Sequence, residues 1–124
     1  MNDRLTKLQE KLAEFEVDGI LITNPENRYY ISGFLGSAGY LFITPDAAYL
    51  NTDFRYIEQA TNQAPSFEII KIDSELKWFI DLLIKHRINT LGFESEDLSF
   101  AGYSRFSEIL EKNKLNKIVN LKPL

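Results

Sequence analysis

The sequence contains no cysteine and a single histidine, His86. Without cysteine there can be no disulfide framework, thiolate nucleophile, cysteine-ligated zinc or iron–sulfur cluster, and an intracellular compartment fits this composition. One imidazole cannot build a multi-histidine metal site, and no nucleophile–base pair is visible around it. His86 ends a predicted helix, where a basic residue complements the helix dipole, and we interpret it as structural.

Two further features are missing: a surplus of basic residues and a long apolar run. Fourteen Lys and Arg face 18 Asp and Glu, and the formal net charge is −4. This balance argues against a nucleic-acid partner. No stretch approaches the roughly 20 apolar residues that span a bilayer, and the N-terminal residues are charged and amphipathic rather than signal-like. We therefore expect a cytoplasmic protein without a membrane partner.

What the sequence does contain is enough apolar material for one core. The chain has 124 residues, 44% of them hydrophobic, with nine Phe, six Tyr and one Trp. This length suits a single domain over residues 1–124. Short β-branched runs alternate with amphipathic stretches, which is typical of an α/β fold. We predict a mixed five- or six-stranded sheet with flanking helices.

The predicted elements follow from periodicity and from capping residues. Asp3 and Asn24 are candidate helix caps, and Pro45-Asp46 is a turn pair that indicates an antiparallel hairpin. The predicted helices cover 5–15, 25–33, 53–60, 74–86 and 99–113, and the predicted strands cover 20–23, 40–44, 47–51, 67–72, 90–94 and 117–121.

Glycines punctuate the segment between the second helix and the second strand. Gly33, Gly36 and Gly39 could let backbone N–H groups approach a phosphate. However, a dinucleotide fingerprint follows a strand and opens a helix, whereas this loop follows a helix and opens a strand. We interpret residues 33–39 as a permissive surface loop that can serve a partner.

Carboxylates cluster after the fifth strand, as Glu94, Glu96 and Asp97. Alternation along an extended segment points neighbouring side chains to opposite sides, and no further acidic cluster completes a metal shell. A solvated acidic turn, with Asp97 or Ser99 capping the next helix, is favoured over a metal site.

Asp53 and Arg55 lie between a strand end and a helix start. An arginine at this place can bind a carboxylate or a carbonyl through paired N–H donors. Alternatively, Asp53 caps the helix while Arg55 forms a local ion pair, which is the favoured interpretation from the residues alone. Tyr29 and Tyr30 are interpreted as core and rim packing.

Three blocks of the sequence are informative together: Asn24-Pro25-x-Asn27-x-x-Tyr30-Ile31-Ser32-Gly33-Phe34, then Gly36-Ser37-Ala38-Gly39, then Thr52-Asp53-x-Arg55-Tyr56-x-x-Gln59-Ala60. In order and spacing they resemble the N-terminal domain of the creatinase, prolidase and Xaa-Pro aminopeptidase family. The resemblance covers essentially the whole chain. It implies a ribonuclease-H-like mixed α/β domain that precedes a larger "pita-bread" catalytic domain, which is absent from this chain.

The resemblance also implies a division of labour. The family's catalytic domain binds two divalent metal ions, typically manganese, cobalt or zinc, and cleaves Xaa-Pro bonds; no catalytic or metal-binding residue is expected here. The N-terminal domain packs against catalytic domains, supports homodimer formation and lends side chains to a neighbouring active site. The positions that match such a rim are Phe34, Leu35 and Arg55. Whether the parent is a dipeptidase or an aminopeptidase is left open by the sequence.

A second interpretation comes from a different class of function. The chain could be a stand-alone binding or regulatory α/β module that recognises a small ligand beside Asp53 and Arg55. A reading frame that continues some two hundred or more residues past Leu124, about one large domain, would favour the peptidase.

Overall fold

The computed structural model describes residues 2–72 and 76–124. Helices and strands alternate through the chain, as the periodicity predicts. The helices are α1 Asp3–Lys11, α2 Pro25–Ser32, α3 Ile57–Gln63, α4 Lys77–Lys85 and α5 Phe100–Lys112, with a 3₁₀ turn at Phe54–Tyr56; the strands are β1 Gly19–Ile22, β2 Tyr40–Thr44, β3 Ala47–Thr52, β4 Glu68–Lys71, β5 Thr90–Phe93 and β6 Asn120–Pro123.

The strands form one six-stranded mixed sheet in the order β4-β3-β2-β1-β5-β6. Strand β2 runs antiparallel to both of its neighbours, β1 and β3, whereas the other pairs are parallel. Five strands therefore end at the same edge of the sheet, where β2 begins. We call this the carboxyl edge, and it is where α/β folds commonly present binding groups.

Both faces of the sheet are covered, which explains why β1 is apolar at every position. On one face, Leu21 packs in a cluster with Phe79 of α4 and Phe106 of α5. On the other face, the neighbouring Ile20 and Ile22 join a second cluster with residues of α1 and α3. The alternation of side chains along a strand thus divides one apolar run between two cores.

The helix ends show which capping predictions hold. Asn24 caps α2 by accepting a 3.0 Å hydrogen bond from the Asn27 N–H, and Pro25 occupies the first turn, as predicted. Gly33 ends this helix at φ +87°, a left-handed conformation that favours glycine. The prediction for α1 is wrong, because Asn2 rather than Asp3 is its cap and accepts from the Leu5 N–H at 2.9 Å.

Several boundaries also differ from their predictions. Helix α1 ends at Lys11, well before Phe15, and β6 starts at Asn120 rather than at Lys117. The late start of β6 has a local cause, since the Leu115 carbonyl accepts from both the Ile118 and the Val119 N–H and thereby forms a turn. The predicted beginning of the 74–86 helix lies partly outside the described residues.

Candidate functional site

The three sequence blocks and the acidic cluster meet at the carboxyl edge. They surround an open cleft of about 570 Å³ on the side of the sheet that carries α4 and α5. Its lining includes Thr23, Arg28, Gly39, Asp53, Asp97 and Arg105. Residues that are distant in sequence therefore form one polar surface, because the parallel strands deliver their ends to the same place.

The acidic cluster after β5 binds the turn after β1. One oxygen of Glu94 accepts hydrogen bonds from the backbone N–H groups of Thr23 (2.6 Å) and Asn24 (2.8 Å). Asp97 accepts from the Thr23 hydroxyl at 2.6 Å and from the Asn24 amide at 3.2 Å. Glu96 and Asp97 lie exposed in the predicted turn, and Ser99, one of the two predicted caps, caps α5; the contacts with Thr23 and Asn24 were not predicted.

These contacts leave the acidic cluster poorly suited to a metal ion. Glu94 and Asp97 already accept several hydrogen bonds, and Glu96 is exposed to solvent. Within residues 2–72 and 76–124, no group of three or more acidic or histidine side chains is arranged to hold a metal. The carboxylates at this edge act as hydrogen-bond acceptors that join β5 to β1.

A buried cation, Arg28, holds the glycine loop. Its side chain is 4% exposed and donates to the carbonyl of Gly39 through Nη1 and to the carbonyl of Gly36 through Nη2, both at 2.8 Å. Burial lowers the pKa of the Arg28 guanidinium, and the charge of Asp97 partly opposes this effect. Arg28 was not among the predicted site residues, although its four-residue spacing from Ser32 places both on one face of α2, and both are buried.

The loop itself contains one buried and one exposed apolar residue. Phe34 is 1% exposed and packs in the core, whereas Leu35 is 65% exposed. The expectation of Phe34 as a surface rim residue therefore needs correction, since its ring fills the space beside Gly36. A Cβ added at Gly36 would lie 2.0 Å from the Phe34 ring, so glycine permits this close approach.

Side chains at the end of β3 and in the segment through α3 also hold the glycine loop by hydrogen bonds. Thr52 donates its hydroxyl to the Ala38 carbonyl at 2.6 Å, and the hydroxyls of Ser37 and Tyr56 lie 2.6 Å apart. Gln63 of α3 accepts from the Leu35 N–H at 2.9 Å. The second and third sequence blocks are thus in direct contact.

Asp53 and Arg55 form the local pair that the residues alone favoured. Asp53 caps the 3₁₀ turn, and its two oxygens accept from Nε (3.1 Å) and Nη2 (2.8 Å) of Arg55. Hydrogen bonding from Arg55 lowers the pKa of Asp53, and the same pairing raises the pKa of Arg55. The Arg55 side chain remains 63% exposed, so the pair is accessible from solvent.

The most exposed large apolar side chains also lie at the carboxyl edge. Phe100 is 82% exposed, Phe54 is 72% exposed, and Leu35 follows at 65%. Phe54 begins the 3₁₀ turn after β3, Phe100 begins α5 after β5, and Leu35 lies in the glycine loop. Leu35 was a predicted site residue, but Phe54 and Phe100 were not, because the sequence pattern that predicts their helices does not show which helix face is covered.

His86 and the tyrosine pair lie apart from this cleft. His86 ends α4, and its Nε2 lies 2.7 Å from the Tyr49 hydroxyl, which gives the imidazole a structural partner. Tyr29 and Tyr30 are about half exposed, and the Arg4 guanidinium stacks 4.0 Å from the centre of the Tyr30 ring.

Comparison with known proteins identifies relatives of the whole chain. The Creatinase/Prolidase N-terminal domain profile matches residues 4–124. A Bacillus subtilis (strain 168) protein named uncharacterized peptidase YqhT is 37% identical over 113 residues, which are 90% of this chain and 32% of that protein. This chain therefore spans about a third of that relative.

Solved structures agree with this match. An Xaa-Pro dipeptidase from Bacillus anthracis has a TM-score of 0.88 at 31% identity, over 98% of this chain and 33% of that one. An Xaa-Pro aminopeptidase from Streptococcus thermophilus has a TM-score of 0.86 at 30% identity, over 98% and 89% of the two chains.

Among the described residues, no helix combines the length and apolar character required to cross a bilayer.

Proposed function

Because this chain belongs to the Creatinase/Prolidase N-terminal domain family, we propose that it is the non-catalytic N-terminal domain of a metal-dependent Xaa-Pro peptidase. In this proposal residues 1–124 form a single domain, and a catalytic domain with two divalent metal ions follows it in a longer protein. Relatives named Xaa-Pro dipeptidase and Xaa-Pro aminopeptidase, both about 30% identical to this chain, support a hydrolase of this class.

The chemistry of the chain supports a role other than bond cleavage. Its acidic cluster is engaged in hydrogen bonds to the β1–α2 turn, and its sole histidine faces Tyr49. The metal ions that activate water and polarise the peptide carbonyl would therefore be held by the catalytic domain. The contribution of residues 1–124 is then to bind and orient the peptide substrate and to exclude water from the site.

The observation that carries the proposal is the composition of the carboxyl edge. Leu35 and Phe54 are strongly exposed there, and Arg55, whose guanidinium is accessible, follows Phe54 in the chain. Apolar and arginine side chains of this kind are enriched in protein interfaces. We infer that this edge forms the rim of a substrate entrance, where Arg55 binds the C-terminal carboxylate of a short peptide and Leu35 excludes water.

The same proposal includes the partners of the domain. These are its own catalytic domain, a second copy of the protein in a homodimer, and Xaa-Pro peptides. A cytoplasmic location fits the absence of cysteine, and a relative of known structure that is 31% identical is the N-terminal domain of cytoplasmic peptidase PepQ from Mycobacterium tuberculosis H37Rv.

Substitutions in the full-length enzyme test the rim. The rim variants are Arg55→Ala and Leu35→Ser. The control variants are Arg87→Ala and Ile84→Ser, at residues that are exposed at the opposite edge of the sheet. Ile84 is 61% exposed and so matches Leu35. We expect each rim variant to lower kcat/KM on Xaa-Pro dipeptides about tenfold, equivalent to about 1.4 kcal/mol, with little change in the controls. Unchanged kcat/KM and oligomeric state in both rim variants would refute the rim.

A further inference from the structure

Arg28 is the buried cation of the cleft and is not part of the proposed rim. A buried charge usually has an oppositely charged partner, because desolvation otherwise penalises it. The hydrogen bonds of Arg28 go to two neutral backbone carbonyls, those of Gly36 and Gly39, and the charge of Asp97 only partly offsets its desolvation. Its Nε has no partner within the part of the chain that the structure describes. Both hydrogen bonds of the Arg28 side chain are therefore made to the glycine loop.

The geometry of the guanidinium gives Arg28 a specific task. Its N–H groups are fixed in one plane, so two simultaneous hydrogen bonds define where both carbonyls lie. The carbonyls belong to residues three positions apart, at the two ends of the Gly36–Gly39 segment, and each bond is 2.8 Å long. Lysine, with one ammonium on a flexible stem, could not impose this spacing.

The helix that carries Arg28 is itself held at both ends. Glu94 accepts hydrogen bonds from the residues that precede α2, Thr23 and Asn24. At the other end, Ser32 donates to the Arg28 carbonyl at 2.6 Å and accepts from the Phe34 N–H at 3.1 Å. The position of Arg28 is therefore defined by contacts with Glu94, directly after β5, and with the start of the loop.

We propose that Arg28 is a positioning residue that fixes the glycine loop through the Gly36 and Gly39 carbonyls and thereby places Leu35 for recognition of short peptides. The inference has two halves. The positioning half, that Arg28 fixes the glycine loop, concerns this chain alone. The specificity half, that the loop places Leu35 for peptide recognition, rests on the proposed function; in it Arg28 touches no substrate and acts through the loop.

Backbone relaxation in the 124-residue chain tests the positioning half. In the unmodified chain we expect NMR order parameters for Ser37 and Ala38 of about 0.85, and in Arg28→Lys values below about 0.6. Arg4→Lys is the matched control, since Arg4 also donates to a backbone carbonyl, that of Tyr30, but is exposed. Order parameters that stay unchanged in Arg28→Lys would overturn the positioning role.

A measurement on the unmodified chain covers the case in which Arg28 variants fail to fold. If both Nη groups are hydrogen-bonded, rotation of the Arg28 guanidinium is hindered, and NMR resolves separate Nη1 and Nη2 signals. The exposed Arg4 side chain should give averaged signals under the same conditions. Averaged signals from Arg28 would contradict the two-point contact.

Kinetics of the full-length enzyme test the specificity half. For Arg28→Lys we expect KM for an Xaa-Pro dipeptide to rise about tenfold with kcat within about twofold, because the loop is displaced while the reacting groups are intact. A loosened loop with unchanged KM would overturn this half. Failure of the proposed rim can be told apart from failure of this inference. If the rim is wrong, Leu35→Ser and Arg55→Ala, each made in the enzyme that retains Arg28, leave the kinetics unchanged.

Discussion

The carboxylate of Glu94, directly after β5, accepts a 2.8 Å hydrogen bond from the backbone N–H of Asn24, the cap of α2 in the turn after β1. The two residues are 70 positions apart in sequence, but β1 and β5 are neighbouring parallel strands. The same oxygen also accepts from the Thr23 N–H. Glu94 thus satisfies backbone donors at the start of α2 and connects the two halves of the chain.

Removing this carboxylate should destabilise the domain. Glu94→Ala leaves the N–H groups of Thr23 and Asn24 without their acceptor, and we expect a loss of about 2 kcal/mol in the free energy of unfolding. Urea denaturation measures this change. The control is Glu96→Ala, at an exposed position of the same cluster, which should change the free energy by less than about 0.5 kcal/mol. Equal effects of the two substitutions would contradict the role of Glu94.

The contact between Gly36 and the Phe34 ring gives a second prediction. Gly36→Ala introduces a Cβ into space that the buried ring occupies, and we expect it to lower stability by about 1 to 3 kcal/mol. Introduced beside Phe34→Leu, which removes part of the ring volume, the same substitution should cost at least about 0.5 kcal/mol less. A double-mutant cycle from urea denaturation measures the coupling. Strict additivity would show that the two residues do not contact each other.

A third prediction concerns the titration of Asp53. Because Arg55 lowers its pKa in the folded chain, the pair stabilises the fold above the ordinary pKa of 3.8, and this stabilisation is lost as the pH falls through the lowered value. Carboxyl NMR titration should give a pKa below 3.8 in the unmodified chain and a value closer to 3.8 in Arg55→Ala.

Arg55→Lys is the control for this titration. It keeps the positive charge but loses the paired N–H donors, so the pKa of Asp53 should fall between those of the unmodified chain and Arg55→Ala. If Arg55→Ala leaves the pKa of Asp53 where it is in the unmodified chain, the pair does not form in solution.

The sequence predicted the elements well because their signals are local. Alternation and β-branched residues locate the strands, and Asn24-Pro25 with Gly33 bounds α2 within a few residues. The six-stranded sheet and its hairpin agree with the prediction. The shifted start of β6 arises from a turn at Leu115 that the composition of the segment does not reveal.

The candidate site was harder to predict because its contacts are distant in sequence. Phe34 is buried because Gly36 has no Cβ to clash with its ring. Phe34 lies in a glycine-rich loop, where the sequence has no hydrophobic periodicity that could predict burial. The hydrogen bond between Thr23 and Asp97 joins residues 74 positions apart in sequence, which are neighbours only because β1 and β5 are adjacent strands. Asp53 and Arg55, which are two positions apart, were paired correctly because their contact is local.

The most direct test of the account compares turnover of an Xaa-Pro dipeptide by the 124-residue chain and by the longer protein that we propose, each with added manganese. The account predicts hydrolysis by the longer protein and none by residues 1–124. Metal-dependent hydrolysis by the 124-residue chain would contradict it, because the bond-breaking groups would then lie within this domain.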